Sequence, residues 1–276
     1  MCLELPRSTR LLTVKRGPAD KKPTYHDALL EEKPLPILKT GQLLVKMNAV
    51  AFNHRDVGSA KVCVSRTSEL RSPSSYGSVK ANTPVLLLGV HSELTERYVA
   101  VERDQVIASP DHLDDEHLAA WPLAGVTAWR AAVVYANIQK GDNVLITGIG
   151  GGVALTALQI CLARGANVFV SSGSEDKIKK AVGLGAKGGV NYRQSDWSAT
   201  LEKLLVKEAG QGARVSVVID SGGGDIMAQV GKVLKSGGKV VIYGMTASPK
   251  VTFTMREVLK NQQLIGIFVR RSPELN

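Results

Sequence analysis

Cysteine and long apolar runs are scarce in this chain, and both absences limit what it can be. Its 276 residues include three cysteines, Cys2, Cys63 and Cys161, none of them in a CxxC pair. This spacing excludes a disulfide framework and a four-cysteine zinc lobe, and it fits a reducing compartment. No apolar run approaches the ~20 residues of a membrane span. We therefore expect a cytoplasmic protein with no membrane association and no signal peptide, although the mildly basic start leaves a weak organelle signal open.

The basic charge of the chain is unevenly distributed. Hydrophobic residues make up 44% and charged residues 22% of the sequence, which is typical of a soluble globular protein long enough for two domains. Of the net charge of +10, residues 1–116 carry +1 and residues 117–276 carry +9. A phosphate-rich ligand, nucleic acid or a solvated basic surface would each account for this excess.

A glycine-rich run after an apolar segment is the most informative feature of the sequence. The residues VLIT at 144–147 predict a buried strand, and residues 153–164 predict a helix. Between them lie Gly148, Gly150, Gly151 and Gly152. Strand, glycine turn and helix place a pyrophosphate against the helix N-terminus, where a Cβ would hold it away from the backbone N–H groups. The sixth position of the strict GxGxxG pattern is Val153, so a glycine turn that binds nothing is the alternative.

From residue 141 onward, predicted strands and helices alternate. The predicted strands are 144–147, 167–172, 188–192, 214–220, 239–244 and 263–269, and the predicted helices are 153–164, 175–182, 197–209 and 225–234. Continuous Val/Ile runs between helices indicate an α/β fold with a doubly wound parallel sheet. Ligands of such sheets bind at the carboxyl ends of the strands, where the glycine turn, Ser171 and Ser172, 221–224 and 244–246 all lie. This convergence favours a nucleotide site.

The first ~110 residues instead predict a mostly β domain. Short β-like runs occur at 11–15, 41–53 and 96–110. Between them the serine-rich segment 58–92 has neither strand nor helix period, so we expect a loop or a disordered insertion. A helical pattern at 114–138 begins with acidic residues, which suits the helix dipole. We place a β domain at 8–116, atypical over 58–93, and a nucleotide-binding domain at 117–276.

Several motifs stand in the order and spacing of one known family. They include AFNHRDV (51–57), WPLAGVTAW (121–129), KGDNVLITGIGGGVA (140–154), LGAKGGVNYR (184–193) and GGKVVIYGMT (237–246). In these motifs the chain resembles a medium-chain dehydrogenase/reductase of the zinc-free, quinone-oxidoreductase-like type, over residues ~10–57 and ~95–270. The resemblance implies a GroES-like β domain, incomplete here, followed by a Rossmann domain, with nicotinamide and substrate bound between them.

Asn53 distinguishes this chain from zinc-dependent members of the family it resembles. Those members have Cys at that position and a His-Glu pair shortly after it. Here His91 is followed by Ser92. Catalytic zinc needs about three protein ligands, and we cannot assemble such a set from this sequence. We therefore expect hydride transfer without zinc or another metal. Asn53 is the candidate catalytic residue, since it could hydrogen-bond a substrate carbonyl or the cofactor ribose, and a turn-forming role is the alternative.

The end of the second Rossmann strand bears on the choice of cofactor. An NAD-preferring site usually carries Asp or Glu there, whereas this strand ends in Ser171 and Ser172. A carboxylate would repel a 2′-phosphate, and hydroxyls with Lys177 would bind it. The resemblance assigns similar roles to Ser172, Lys177 and Tyr192 in NADPH-preferring members, so we expect NADPH rather than NADH. A solvated Lys177 and ordinary packing of Tyr192 are the alternatives.

The resemblance also places Thr127 and Gly244 near the nicotinamide, although a plain helix residue and a simple turn would explain them equally well. The complete set of predicted cofactor contacts is Thr127, Gly148, Gly150, Gly151, Gly152, Val153, Ser171, Ser172, Lys177, Tyr192 and Gly244.

Two departures from the family affect the predicted function. Residues 58–93 replace an aromatic- and glycine-rich stretch, and family members continue beyond the position of Asn276. An alternative transcript, an imperfect gene model or a degenerate paralogue would explain both. The leading hypothesis is an NADPH-dependent reductase of small-molecule quinones, enals or enones, forming a homodimer through the last strand. A catalytically silent NADPH-binding protein is the alternative, and nucleic-acid binding is the least favoured.

Overall fold

The chain folds as two units that differ in architecture. The computed structural model describes residues 6–15, 27–51, 63–64, 66–71, 85–87 and 97–267. The first unit is Met1–Leu123 and the second is Ala124–Asn276. The division falls within helix α1 (Asp115–Trp129), which also contains the expected boundary at 116/117.

The described part of the first unit consists of antiparallel strands. Their bounds are β1 (Ser8–Lys15), β2 (Asp27–Pro34), β3 (Gln42–Met47), β4 (Val50–Ala51), β5 (Cys63–Val64), β6 (Arg66–Arg71), β7 (Val85–Leu87), β8 (Tyr98–Glu102) and β9 (Val106–Ala108). Five of them form a sheet in the order β8-β3-β6-β7-β9, while β1 pairs with β2 and β4 with β5. Leu43 and Val45 of β3 pack with Val99 and Val101 of β8 in a small core, as the alternating pattern of these strands requires.

The segment 58–92, expected to be a loop or a disordered insertion, contains three of these strands. β6 pairs with β3 through Val45↔Leu70 and Met47↔Thr67, and with β7 through Thr67↔Val85. The expectation is therefore wrong for 63–64, 66–71 and 85–87, and the rest of the segment lies outside the described residues. The sequence of β6 has little local strand signal, and its backbone pairs with strands on both sides.

The second unit contains a six-stranded parallel sheet flanked by helices. Its main elements are β10 (Asn143–Ile146), α2 (Gly152–Ala163), β11 (Asn167–Ser172), α3 (Glu175–Gly183), β12 (Gly188–Asn191), α4 (Trp197–Ala209), β13 (Val215–Asp220), β14 (Gly223–Gly224), α5 (Ile226–Val230), β15 (Leu234–Ile242), β16 (Ser248–Val251), α6 (Met255–Leu259) and β17 (Gln263–Gly266). The sheet order is β12-β11-β10-β13-β15-β17. This is the strand order of the Rossmann fold, so the predicted fold class is confirmed.

The strands of this sheet alternate between two apolar cores. Val144 and Ile146 pack against the side covered by α2 and α3, whereas Leu145 packs against the side covered by α4 and α5. The continuous apolar runs thus reflect burial on both faces. In the described part of the chain, no helix is both long and apolar enough to cross a bilayer.

The helix predicted at 225–234 is too long. α5 ends at Val230, where Gly231 begins a turn in which Val233 N donates to Val230 O (2.9 Å). Val233 O then accepts from Val215 N (3.0 Å), which draws the following residues into the sheet. As a result β15 begins at Leu234, five residues before the predicted start of that strand.

The helix predicted at 114–138 changes its hydrogen-bonding pattern part-way. α1 is followed by a π-helical segment, Arg130–Tyr135, in which Ala136 N donates to Ala131 O (3.0 Å). Lys239 Nζ, from β15, donates to the carbonyls of Tyr135 (3.3 Å) and Ala136 (3.1 Å) at its end. The lysine satisfies helix-end carbonyls that would otherwise lack a partner.

Candidate cofactor site

The glycine turn between β10 and α2 has a backbone that requires glycine at two positions. Gly148 has φ +64° and Gly150 has φ +107°, conformations that L side chains rarely adopt. A Cβ on Gly148 would lie 2.6 Å from Ser221 Oγ. Ile149, between them, is buried and its N–H donates to Ser171 O at 2.9 Å, which attaches the turn to β11.

The turn leads directly into the N-terminus of α2. Gly151 is the N-cap and adopts an extended backbone, and no side chain of the described residues caps the helix. Val153 lies in the first turn, half-buried, while Ala154 is buried. The uncapped N–H groups and the positive end of a 12-residue helix dipole make this a suitable site for a phosphate group.

Lys177 of α3 lies across the glycine turn. A Cβ on Gly150 would be 2.7 Å from Lys177 Cδ and 3.2 Å from its Cε. The side chain is otherwise exposed. The structure therefore places Lys177, a predicted cofactor contact, against the glycine turn that is predicted to bind phosphate. A solvated helix position alone would not require this.

Ser171 and Ser172 are both buried at the end of β11. Ser172 Oγ donates to Ile149 O (3.4 Å) and accepts from Ser174 N (3.3 Å), so it links the glycine turn to the start of α3. Its hydroxyl is therefore already used within the protein, and a direct contact with a ligand remains a prediction. No carboxylate stands at the end of the strand, in contrast to the usual NAD-preferring arrangement.

Tyr192 lies beyond the end of the neighbouring strand β12. Its side chain is half-exposed, and a Cβ on Gly173 would be 2.9 Å from its Oη. Tyr192 N donates to Ser172 O at 3.2 Å. Tyr192 is therefore at the same sheet edge as Ser172 and Gly173, next to the start of α3.

Gly244 is predicted to lie near the nicotinamide. Ser221 lies between Gly244 and the glycine turn and is close to both. A Cβ on Gly244 would lie 2.7 Å from Ser221 O, and Ser221 Oγ lies close to Gly148. Thr246 N also donates to Ser221 O (3.1 Å). Ser221 was not among the predicted contacts, although its position directly after a buried strand is the signal that could have found it.

A buried hydrogen-bond network at the ends of β10 and β13 was not predicted from the sequence. Thr147 Oγ1 donates to Asp220 Oδ1 (2.6 Å) and accepts from Ser221 N (3.1 Å). Asp220 Oδ2 accepts from Gly222 N (3.1 Å) and Gly223 N (2.7 Å). Because the carboxylate is 2% exposed, these donors offset the cost of burying it, and they hold the ends of β10 and β13 together.

Thr127 lies on α1 and is buried. Ala124, one turn earlier, has its Cβ 3.6 Å from the position of a Cβ on Gly152, so α1 passes the start of α2. Thr127 is therefore on the helix that borders the turn, and its contact with nicotinamide remains a prediction.

Two further groups near the sheet are kept in their neutral form. Burial raises the pKa of Tyr243 to about 12; a hydrogen bond with Ser221 opposes the shift and the negative charge of Asp220 adds to it. Burial likewise raises the pKa of the Cys161 thiol to about 12, against a smaller opposing effect of Arg164. Both are protonated at physiological pH.

Asn53, the candidate catalytic residue, lies outside the described residues, as do His91 and Ser92. Its role therefore stays a prediction. Within the part of the chain that the structure describes, no three His, Cys, Asp or Glu side chains form a group that could hold a metal.

Comparison with known proteins agrees with the resemblance seen in the motifs. A family model described as zinc-binding dehydrogenase matches residues 152–276. The zinc-type alcohol dehydrogenase-like protein YogA of Leptosphaeria maculans is 42% identical over 179 residues, which are 64% of this chain and 49% of that protein. Over these residues the chain is similar to zinc-binding dehydrogenases and to zinc-type alcohol dehydrogenase-like proteins, which agrees with the family resemblance of its motifs.

Two further matches extend the comparison. Quinone oxidoreductase-like protein 2 of Mus musculus is 30% identical over 161 residues, 58% of this chain and 45% of that protein. The chain thus spans about half the length of these curated relatives. A crystal structure of a putative alcohol dehydrogenase from Sinorhizobium meliloti 1021 has a TM-score of 0.79 at 23% identity, covering 96% of this chain and 85% of the other. At that identity the likeness concerns the fold.

Proposed function

We propose that this chain binds NADPH at the glycine turn and reduces a small quinone, enal or enone without a metal ion. The observation that carries the proposal is Lys177 lying across Gly150, beside a second strand that ends in serines instead of a carboxylate. A cation near this strand end, with no carboxylate on the last residues of the strand itself, favours a cofactor with an additional phosphate. The name of the mouse relative, a quinone oxidoreductase-like protein, supports a quinone as one class of substrate.

The residues of the turn fit a dinucleotide. Gly148 and Gly150 let Ser221 and Lys177 approach the backbone of the turn, and the uncapped start of α2 would hold the pyrophosphate. When bound, NADPH supplies the hydride, and hydride transfer chiefly requires that cofactor and substrate be held in position. We assign Asn53 the role of hydrogen-bonding the substrate carbonyl.

Turnover by the purified full chain tests this proposal. NADPH absorbance should fall faster with a benzoquinone, a 2-alkenal or a cyclic enone than without substrate, and prior dialysis against a chelator should leave that rate unchanged. A rate lost on chelation and restored by zinc would refute the metal-free step. NADPH that stabilises the fold without any turnover would instead identify a silent nucleotide-binding protein.

A further inference from the structure

Arg193 and Tyr192 converge on Gly173, at the point where β11 ends. A Cβ on Gly173 would lie 2.8 Å from Arg193 Nε and 2.9 Å from Tyr192 Oη. The parallel pairing of β11 with β12 places Ser172 opposite Asn191, and this register brings the two residues after β12 to the end of β11. Arg193 is exposed, so its guanidinium is available to a ligand.

We propose that Arg193 determines cofactor specificity by binding the 2′-phosphate of the adenosine ribose. The inference rests on the proposed function, since it assumes a dinucleotide in the glycine turn. In this fold the end of the second strand is where the ribose 2′ position is recognised. A planar guanidinium can donate two parallel hydrogen bonds to a phosphate, which an ammonium such as that of Lys177 cannot do.

Asn191 arranges the charges around this position. Its Nδ2 donates to Glu175 Oε1 (2.9 Å), and its Oδ1 accepts from Arg193 N (3.1 Å). Glu175 is the first residue of α3, close to Gly173, where a free carboxylate would repel a 2′-phosphate. Asn191 is thus a positioning residue that holds the backbone of Arg193 and restrains Glu175 with one amide.

Binding of two adenosine nucleotides to the full chain separates this role from general affinity. Isothermal titration calorimetry with adenosine 2′,5′-bisphosphate and with 5′-AMP reports the contribution of the 2′-phosphate without requiring turnover. The wild-type chain should prefer the bisphosphate by about tenfold or more. Arg193→Ala should weaken bisphosphate binding by about tenfold while 5′-AMP binding changes less than about twofold, as expected for one charge-assisted contact. Arg193→Lys should restore part of the preference.

Arg256→Ala is the matched control. It removes the same guanidinium and the same unit of charge from α6, which precedes β17 at the opposite edge of the sheet. We expect this variant to keep the wild-type preference. Asn191→Ala should lower the preference, and adding Glu175→Gln to it should recover the loss, which a merely structural role of Asn191 would not predict.

The outcomes distinguish the inference from the function on which it rests. If the wild type prefers the bisphosphate and Arg193→Ala keeps that preference, or weakens both ligands equally, the role of Arg193 is refuted while the proposed function stands. If the wild-type chain binds neither nucleotide nor NADPH, both fail. Far-UV circular dichroism of each variant confirms that the fold is retained.

Discussion

The aliphatic stem of Lys177 lies across Gly150, so close that a Cβ there would be 2.7 Å from Lys177 Cδ. This relationship joins the two halves of the candidate site, because Gly150 belongs to the turn before α2 and Lys177 to the helix after β11. A residue larger than glycine would push the lysine away and occupy the space over the backbone. The glycine turn and this lysine therefore lie together.

Gly150→Ala should impair nucleotide binding beyond its cost in stability. The φ of +107° makes alanine unfavourable by about 1–2 kcal/mol, and Lys177 must also move. We expect NADPH affinity to fall about tenfold or more, measured by calorimetry.

Gly212→Ala provides the control for Gly150→Ala. Gly212 has φ +78° with nothing within 4 Å of a Cβ, so alanine there introduces similar backbone strain without a clash. Its melting temperature should fall comparably while NADPH affinity is unchanged. Equal losses of affinity in the two variants would show that strain, and not the Lys177 contact, is responsible.

Thr147→Val should destabilise the second unit by about 2 kcal/mol, because it removes the hydroxyl that donates to the buried Asp220 carboxylate. Urea unfolding measures this. Thr200→Val, at an exposed position of α4, should change the free energy of unfolding by less than about 0.5 kcal/mol. A similar small effect of Thr147→Val would contradict the importance of the network.

Stability should decrease with rising pH above about 9. Cys161 has a folded-state pKa of about 12 against an ordinary 9.0, so the unfolded chain releases the thiol proton first. Its contribution is fully present below pH 9 and is lost as pH rises towards 12, with a slope of at most about 1.4 kcal/mol per pH unit. Tyr243, raised from 10.0 to about 12, acts in the same direction at higher pH.

Urea unfolding between pH 8 and pH 10.5 (~0.5-unit steps) tests this dependence through its slope. Cys161→Ala should flatten the decrease above about pH 9, whatever its effect on stability at pH 8. Tyr243→Phe should flatten it only above about pH 10. Unchanged slopes in both variants would show that neither group titrates differently in the folded chain.

We propose that the chain forms a homodimer through β17, which lies at an edge of the sheet beside the exposed Met255 and Leu259 of α6. An exposed sheet edge can pair with a second copy. Light scattering should give about twice the chain mass of 29.5 kDa. Leu259→Glu should shift the population towards monomer, whereas Leu184→Glu, exposed after α3, should not. A monomer at every concentration would refute this interface.

The core of the second unit could be predicted because its signals are local. The apolar strands and the glycine turn of residues 144–152 follow from composition and spacing alone, and so does the position of Lys177 in the first turn of α3. β6 could not be predicted in this way, because RTSELR has little strand character of its own and pairs with β3 and β7, which are distant in sequence. β2, with the sequence DALLEEKP, likewise has its full-length pairing with β1 as its stabilising feature.

The site was incompletely predicted for a similar reason. Tyr192 could be selected through the family resemblance, but Arg193 looks like an ordinary surface residue until the register of β12 against β11 places it over Gly173. Ser221 and Asp220 are separated from Gly148 by more than seventy residues. Only the parallel pairing of β10 with β13 brings them together.

Direct titration of the full wild-type chain with NADPH and with NADH tests the central claim most directly. Protein fluorescence or calorimetry reports both affinities under identical buffer and salt, which matters because phosphate recognition is sensitive to ionic strength. We expect saturable NADPH binding with a dissociation constant at least about tenfold below that of NADH. No binding, or tighter binding of NADH, would contradict the assignment of the glycine turn, Lys177 and Arg193 to a 2′-phosphorylated dinucleotide.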